Sequence, residues 1–170
     1  MTTGNVQFLD PEAMRDGDLE LVLAERQSAE ASIWGVPAHI FHMRHHPSGQ
    51  KMGHISFRFG ERWNMTFTGQ IGYFVEEPFR GQHYAERSCR LLLPFVRRHG
   101  LSELWITCGP ENLASRRTLE RLGAELVEIV DVPPQYPLLN GMIRKKCRYR
   151  LTIHQPDAHG RPQRSTGMNA

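Results

Sequence analysis

The run Glu76-Glu77-Pro78-Phe79-Arg80-Gly81-Gln82-His83-Tyr84-Ala85 sets two carboxylates, a guanidinium and a flexible glycine where a predicted strand gives way to a predicted helix. A helix start presents unpaired N–H groups and partial positive charge, which suit phosphate oxygens. Arg80 adds a fixed cation, and Gly81 lets the backbone approach a ligand closely. Neither GxxxxGKS/T nor GxGxxG occurs, so neither a nucleotide P-loop nor a dinucleotide-binding turn is supported. On these residues alone the segment reads as an anion site or as a plain turn.

Other reactive side chains are more scattered. Of nine histidines, His39, His42, His45 and His46 cluster on one predicted strand. Alternation puts His42 and His46 on one face and His39 and His45 on the other, so they do not converge on a metal. The three cysteines, Cys89, Cys108 and Cys147, form no CxxC pair and fit reduced thiols of the cytoplasm rather than a disulfide scaffold or a zinc site. Cys108 ends a strand and reads as a small buried hydrophobe, with a nucleophilic role the alternative. Arg116, Arg117 and Arg121 read as a solvated helix face.

The elements that position these residues follow from hydrophobic periodicity. Strands are expected at Leu19 to Ala24, Val36 to His46 and His54 to Phe59, with Pro47-Ser48-Gly49-Gln50 turning between the last two. A third meander strand is expected over Met65 to Val75. The period then lengthens: Ala85, Cys89, Leu92 and Val96 form one stripe of a helix over 83–99, kinked at Pro94 and closed by Gly100. Leu104 to Cys108 reads as a strand buried on both faces. Asn112 caps a second helix that ends at Gly123, and strands over Leu126 to Val132 and Met142 to Ile153 complete the order. The helix between them makes the strands at 69–75 and 104–108 parallel neighbours, and such sheets bind ligands beyond the carboxyl ends of their strands.

Composition sets the frame. The 170 residues, 39% hydrophobic and 23% charged, suit one soluble domain, with no apolar run approaching the ~18–20 residues of a membrane span. No secretory signal is evident, so a cytoplasmic location is expected. Lys plus Arg exceed Asp plus Glu by only 21 to 18, too even a balance to argue for nucleic acid. Residues 1–154 are expected to form the domain and 155–170 a disordered polar tail.

Four features in register resemble the GNAT (Gcn5-related) N-acetyltransferases. The strand Ile71-Gly72-Tyr73-Phe74-Val75 precedes Pro78, and Arg80 to Ala85 occupy the place of the Q/R-x-x-G-x-G/A loop. Trp105-Ile106-Thr107 is followed by Asn112 and then by Arg121-Leu122-Gly123. The likeness spans about Gly53 to Ile153. It implies an α/β fold with a mixed, twisted sheet and helices on both faces, here with short or missing N-terminal helices. It also implies acetyl-CoA as co-substrate, its pantetheine paired with backbone at Phe74 and Val75. The diphosphate would rest on Arg80 and the amides of Gly81, Gln82, His83, Tyr84, Ala85 and Glu86. Asn112 would bond the pantetheine arm with Ser115 nearby, and the arginines of the second helix offer a secondary contact for the 3′-phosphate.

The implied chemistry is N-acetyl transfer to a primary amine in a ternary complex. The Val75 N–H would hold the oxyanion, and Glu76 or Glu77 would be the base. Two positions depart from the family pattern. His83 stands at the fourth position of the loop, usually glycine, so its ring must turn away from the diphosphate or contact it. Leu119 stands where many members carry a tyrosine acid; a thiol of pKa about 8.5 leaves acceptably with water as proton source. The short segment Gln27 to Gly35 leaves the acceptor cleft open or completed by a homodimer, with Trp34, Trp63 and Tyr136 as candidate linings. The competing reading is a non-catalytic CoA-binding or regulatory module of the same fold.

Overall fold

Alternation along His54 to Phe59 turns Ile55, Phe57 and Phe59 to one side of a strand and His54, Ser56 and Arg58 to the other, and this partition organises the molecule. The computed structural model describes residues 8–60, 63, 65–136 and 143–154. The expected tail at 155–170 and the residues at 61–62 and 137–142 lie outside these. The strands are β1 (Met14–Asp16), β2 (Leu19–Gln27), β3 (Ala38–His45), β4 (Lys51–Arg58), β5 (Ile71–Val75), β6 (Glu103–Cys108), β7 (Glu125–Asp131) and β8 (Lys145–Thr152). The helices are α1 (Met65–Thr68), α2 (Tyr84–Arg98) and α3 (Leu113–Arg121). One sheet holds all eight strands in the order β1-β2-β3-β4-β5-β6-β8-β7. Every neighbouring pair is antiparallel except β5 and β6.

Ile55, Phe57, Ile71, Ile106, Cys147 and Tyr149 pack under α2 and α3, whose Cys89, Leu92, Phe95, Val96 and Leu119 complete the core. Among the described residues the opposite face carries α1 alone, with Phe67, Val132 and Tyr136 as a small second cluster. Among the described residues no helix lies between β2 and β3, so that face stays open. No described helix is long and apolar enough to cross a membrane.

Several elements differ from expectation. The strand expected over 65–75 begins only at Ile71. Met65 to Thr68 coil into a helical turn, closed by Gly69 at φ +65 with its N–H donating to the Met65 carbonyl at 2.8 Å. β1 escapes the periodicity because three residues around a Gly17-Asp18 turn carry no repeat. β6 buries one face only, since Trp105 and Thr107 stay half-buried where just one helical turn covers them. α2 runs on through Pro94, which lies on the solvent side, where water serves the carbonyl that loses its donor.

Candidate active site

The parallel strands β5 and β6 meet at a single register pair, Ile71 with Ile106. Gln70 closes the narrow end: its N–H donates to the Trp105 carbonyl at 2.7 Å and its Oε1 accepts the Trp105 N–H at 2.8 Å. Past that junction the ladder stops. The Gln70 carbonyl accepts the Arg58 N–H and the Glu76 N–H donates to the Met52 carbonyl, both at 2.8 Å, so alternation turns the backbone groups of Tyr73 and Val75 toward the opening. Three spaces surround the split. One of about 800 Å³ lies over Ile71, Tyr73, Ile106 and Cys108 and extends to Arg58 and Lys146. A second of about 600 Å³ lies between the 79–85 loop and α3. Tyr73, Asn112 and Ser115 line both spaces, which lie one on each side of the split. A third, about 400 Å³, sits on the open face beside Trp34, His42, His54 and Arg58.

The loop into α2 is built for close approach. A 3₁₀ turn over Glu77–Phe79 leads to Arg80, whose Nε–H donates to the Val75 carbonyl at 3.0 Å, its guanidinium carbon 5.5 Å from the Phe74 ring centre. Gly81 has φ +79 and open space where a side chain would stand. His83 holds φ 60, a left-handed conformation that glycine takes freely and histidine tolerates better than most residues, which accounts for the family's usual glycine there. Its ring points outward, 57% exposed, with Nδ1 3.7 Å from Glu86 Oε2. No side chain caps the helix at His83, which leaves the first amides of α2 to the second space. Phe74, Val75, Arg80, Gly81, His83, Tyr84 and Ala85 all line that space, as do Arg117 and Arg121. Gln82 and Glu86 line none of the described cavities. Glu86 instead ties α2 to α3 by accepting from Arg121 Nε at 2.7 Å and Arg90 Nη2 at 3.0 Å. Arg87 pins the same turn to the β1–β2 hairpin through Asp16 (2.7 Å) and Asp18 (2.8 Å), and Tyr84 adds a hydroxyl bond to Asp18.

Asn112 Oδ1 accepts the Ser115 N–H at 3.1 Å, the N-cap expected from its residue type. Ser115 Oγ in turn lies 2.8 Å from the Tyr73 hydroxyl. Burial pushes the Tyr73 phenol above its ordinary 10, so it stays protonated at neutral pH. Leu119, in contrast, is fully buried in the core, and the hydroxyl beside Ser115 comes from β5. Sequence reasoning missed Tyr73 because its partner stands 42 residues away. Arg116 turns from the second space to the Tyr149 hydroxyl (3.3 Å).

Neither Glu76 nor Glu77 lines a described cavity. Glu76 is half-buried at the start of the 3₁₀ turn, and Glu77 is exposed. His54 does face the third space, its ring stacked 5.8 Å from that of Phe74. Burial, then Lys51 and His42, hold it below the usual imidazole range, with the Glu76 charge opposing them. His39 lies on the opposite face, in the core, whereas His42 shares the open face with His54. Of the three aromatic candidates, Trp34 lines the third space. Trp63 and Tyr136 pack on Phe67 and on each other, with ring centres 5.1–5.9 Å apart.

Comparison with known proteins fits this geometry. Residues 6–125 match the family model described as acetyltransferase (GNAT) domain. No curated protein matches. Among solved structures, RimL, a ribosomal L7/L12 alpha-N-protein acetyltransferase, is 26% identical over 68% of this chain and 70% of its own, with a TM-score of 0.54. The same enzyme in complex with coenzyme A aligns over 84% of this chain and 98% of its own at 20% identity and TM-score 0.62. The ribosomal-protein-S5-alanine acetyltransferase of Vibrio fischeri aligns over 89% and 100% at 13% identity and TM-score 0.64. With the family model covering most of the described fold, including the split strands and the loop into α2, the chain belongs to the GNAT acetyltransferases, which move an acetyl group from acetyl-CoA to an amine.

Proposed function

We propose that this acetyltransferase works by direct attack of a bound amine on acetyl-CoA, both held in one domain spanning residues 1–154. The observation that carries the reading is the one-pair junction of β5 and β6, past which the strands part between the space at the start of α2 and the larger space over Ile71 and Ile106. The diphosphate rests on Arg80 and the amides from Gly81 to Glu86. The pantetheine runs along Phe74 and Val75, and Asn112 bonds it from the other wall. The thioester then lies near Tyr73 and Ser115, with the amine arriving from the open face.

His54, kept neutral by burial, takes the proton of the ammonium, and Glu76 and the solvent-facing Glu77 pass it on. The amine nitrogen attacks the carbonyl carbon, and the Val75 N–H holds the oxyanion. Collapse breaks the carbon–sulfur bond. The leaving sulfur takes a proton from the Tyr73–Ser115 hydroxyl pair, which is reprotonated through water by the proton the attacking nitrogen sheds, giving an amide and the coenzyme thiol. The neighbours' names place their acceptors among ribosomal proteins; for this chain they support an amine acceptor.

Arg80→Ala tests the assignment of the loop. Loss of one charge-assisted contact is expected to weaken coenzyme A binding about tenfold or more, with the melting temperature nearly unchanged because Arg80 is exposed. Unchanged affinity by calorimetry counts against it. Cys108→Ala tests the direct route. Burial pushes the Cys108 thiol up, away from the thiolate a nucleophile needs, so the variant is expected to keep most of its kcat. Complete loss with an intact fold would indicate an acyl-cysteine intermediate.

A further inference from the structure

The open face of the sheet holds a buried cation with no counter-ion among the described residues. Arg58 is 6% exposed. Its Nη1 donates to the carbonyls of Thr68 (2.8 Å) and Gly69 (2.9 Å), and its Nη2 donates to Ser56 Oγ at 3.0 Å. Nε has no partner, and among the described residues no carboxylate pairs with the group. The guanidinium lies 4.3 Å from the Trp34 ring centre, and Nη2 fills the place where a Cβ on Gly72 would stand, only 2.1 Å away. Gly72 thus seats Arg58 directly over β5 at the split. A buried guanidinium facing only neutral oxygens is costly unless something it binds repays the cost.

The surroundings have the same sign. Arg58 lines both the 800 Å³ and the 400 Å³ spaces. Lys146 stands in the larger one, its ammonium held below the ordinary lysine range by burial and opposed by the charge of Arg58. Lys51 stands in the smaller. Among the described residues Glu111 is the one carboxylate lining either. A polyamine or a lysine-rich peptide would be repelled there. Both volumes suit a small molecule, for which pockets run to about 300–1,000 Å³.

We propose that the acetyl acceptor is a small amine that also carries a compact anion, a carboxylate or a phosphate, and that this anion docks on Arg58 beside Lys146. Arginine forks match both groups in geometry, and Trp34 fixes the plane of the fork. The proposal rests on the transferase reading for its amine, while the anion site can be tested apart from turnover.

Calorimetric titration of the full chain with glutarate and with inorganic phosphate, neither of which carries an amine, tests the site. Saturable binding of at least one is expected, weakened about tenfold or more in Lys146→Gln and changed less than about twofold in Arg98→Gln, whose side chain pairs with Glu12 at the far end of α2. No binding by the wild-type chain, or binding that is undiminished in Lys146→Gln, overturns the proposal. A second arm measures coenzyme A release with glutamate, O-phosphoserine, glutaminamide, serinamide and spermidine. Turnover of the acidic pair well above the others, with KM raised about tenfold in Lys146→Gln, supports it. Equal turnover of neutral or cationic amines overturns it. Lys146-dependent anion binding with no turnover of any amine leaves the anion site standing and removes the transferase reading.

Discussion

Replacing Tyr73 with phenylalanine is expected to lower kcat by about two orders of magnitude while the KM for acetyl-CoA stays within about twofold. The phenol is half-buried at the split, 2.8 Å from Ser115 Oγ, and burial holds it in its protonated form. In the proposed mechanism a neutral hydroxyl there serves the departing sulfur and contributes little to holding the ground-state thioester, which is why kcat and not KM should carry the loss. The hydroxyl bond also contributes about 1 kcal/mol to stability, too little to unfold the chain. A purely structural role predicts something else: losses for Tyr73→Phe and Ser115→Ala that track melting temperature and add in the double variant. If the two hydroxyls act as one proton source, the double variant loses little beyond Tyr73→Phe alone.

The second large effect concerns stability in acid. His39 is fully buried against Phe8, Phe41, Phe59, Phe95 and His99, with ring centres 5.0–6.0 Å away. Burial, and after it the nearby His99, lower its pKa from 6.5 to about 4. In the unfolded chain it titrates near 6.5, so between about pH 4 and 6.5 the unfolded state binds the extra proton. Its contribution is therefore fully present above pH 6.5 and is lost as pH falls toward 4, a total of about 3 kcal/mol. His39→Leu removes the titrating ring at similar volume. Urea unfolding should show this variant close to wild type at pH 7 and more stable than wild type at pH 4.5. Parallel stability curves for the two proteins would show that His39 is not the titrating group.

What could be read beforehand was what local chemistry fixes. Asn112 caps α3 through its neighbour Ser115, and the strand–loop–helix from Ile71 to Arg98 needs no partner to be recognised. His83 sits at positive φ where the loop pattern asks for glycine, and Gly81 takes positive φ two residues before it. Contacts made by strand register could not be read. Arg58 meets Gly72 only because Ser56 pairs with Gly72 across β4 and β5, and His54 meets Phe74 by the same register. Tyr73 meets Ser115 through the crossover of α2 and β6. Those long-range meetings hold the residues proposed as base, acid and anion anchor, whereas the carboxylates favoured by position, Glu76 and Glu77, stand at the rim. Short elements were equally hidden: α1 has four residues and β1 three, too few to display a period.

The proposed mechanism requires the coenzyme to lie across the split with its diphosphate at the start of α2. A crystal structure of the chain grown with coenzyme A tests this most directly. The expected result places diphosphate oxygens about 2.7–3.2 Å from the amides between Gly81 and Glu86, and the sulfur between β5 and β6 within reach of Tyr73 or Ser115. Coenzyme bound away from that loop, or β5 and β6 zipped together past Ile71 and Ile106, would contradict it.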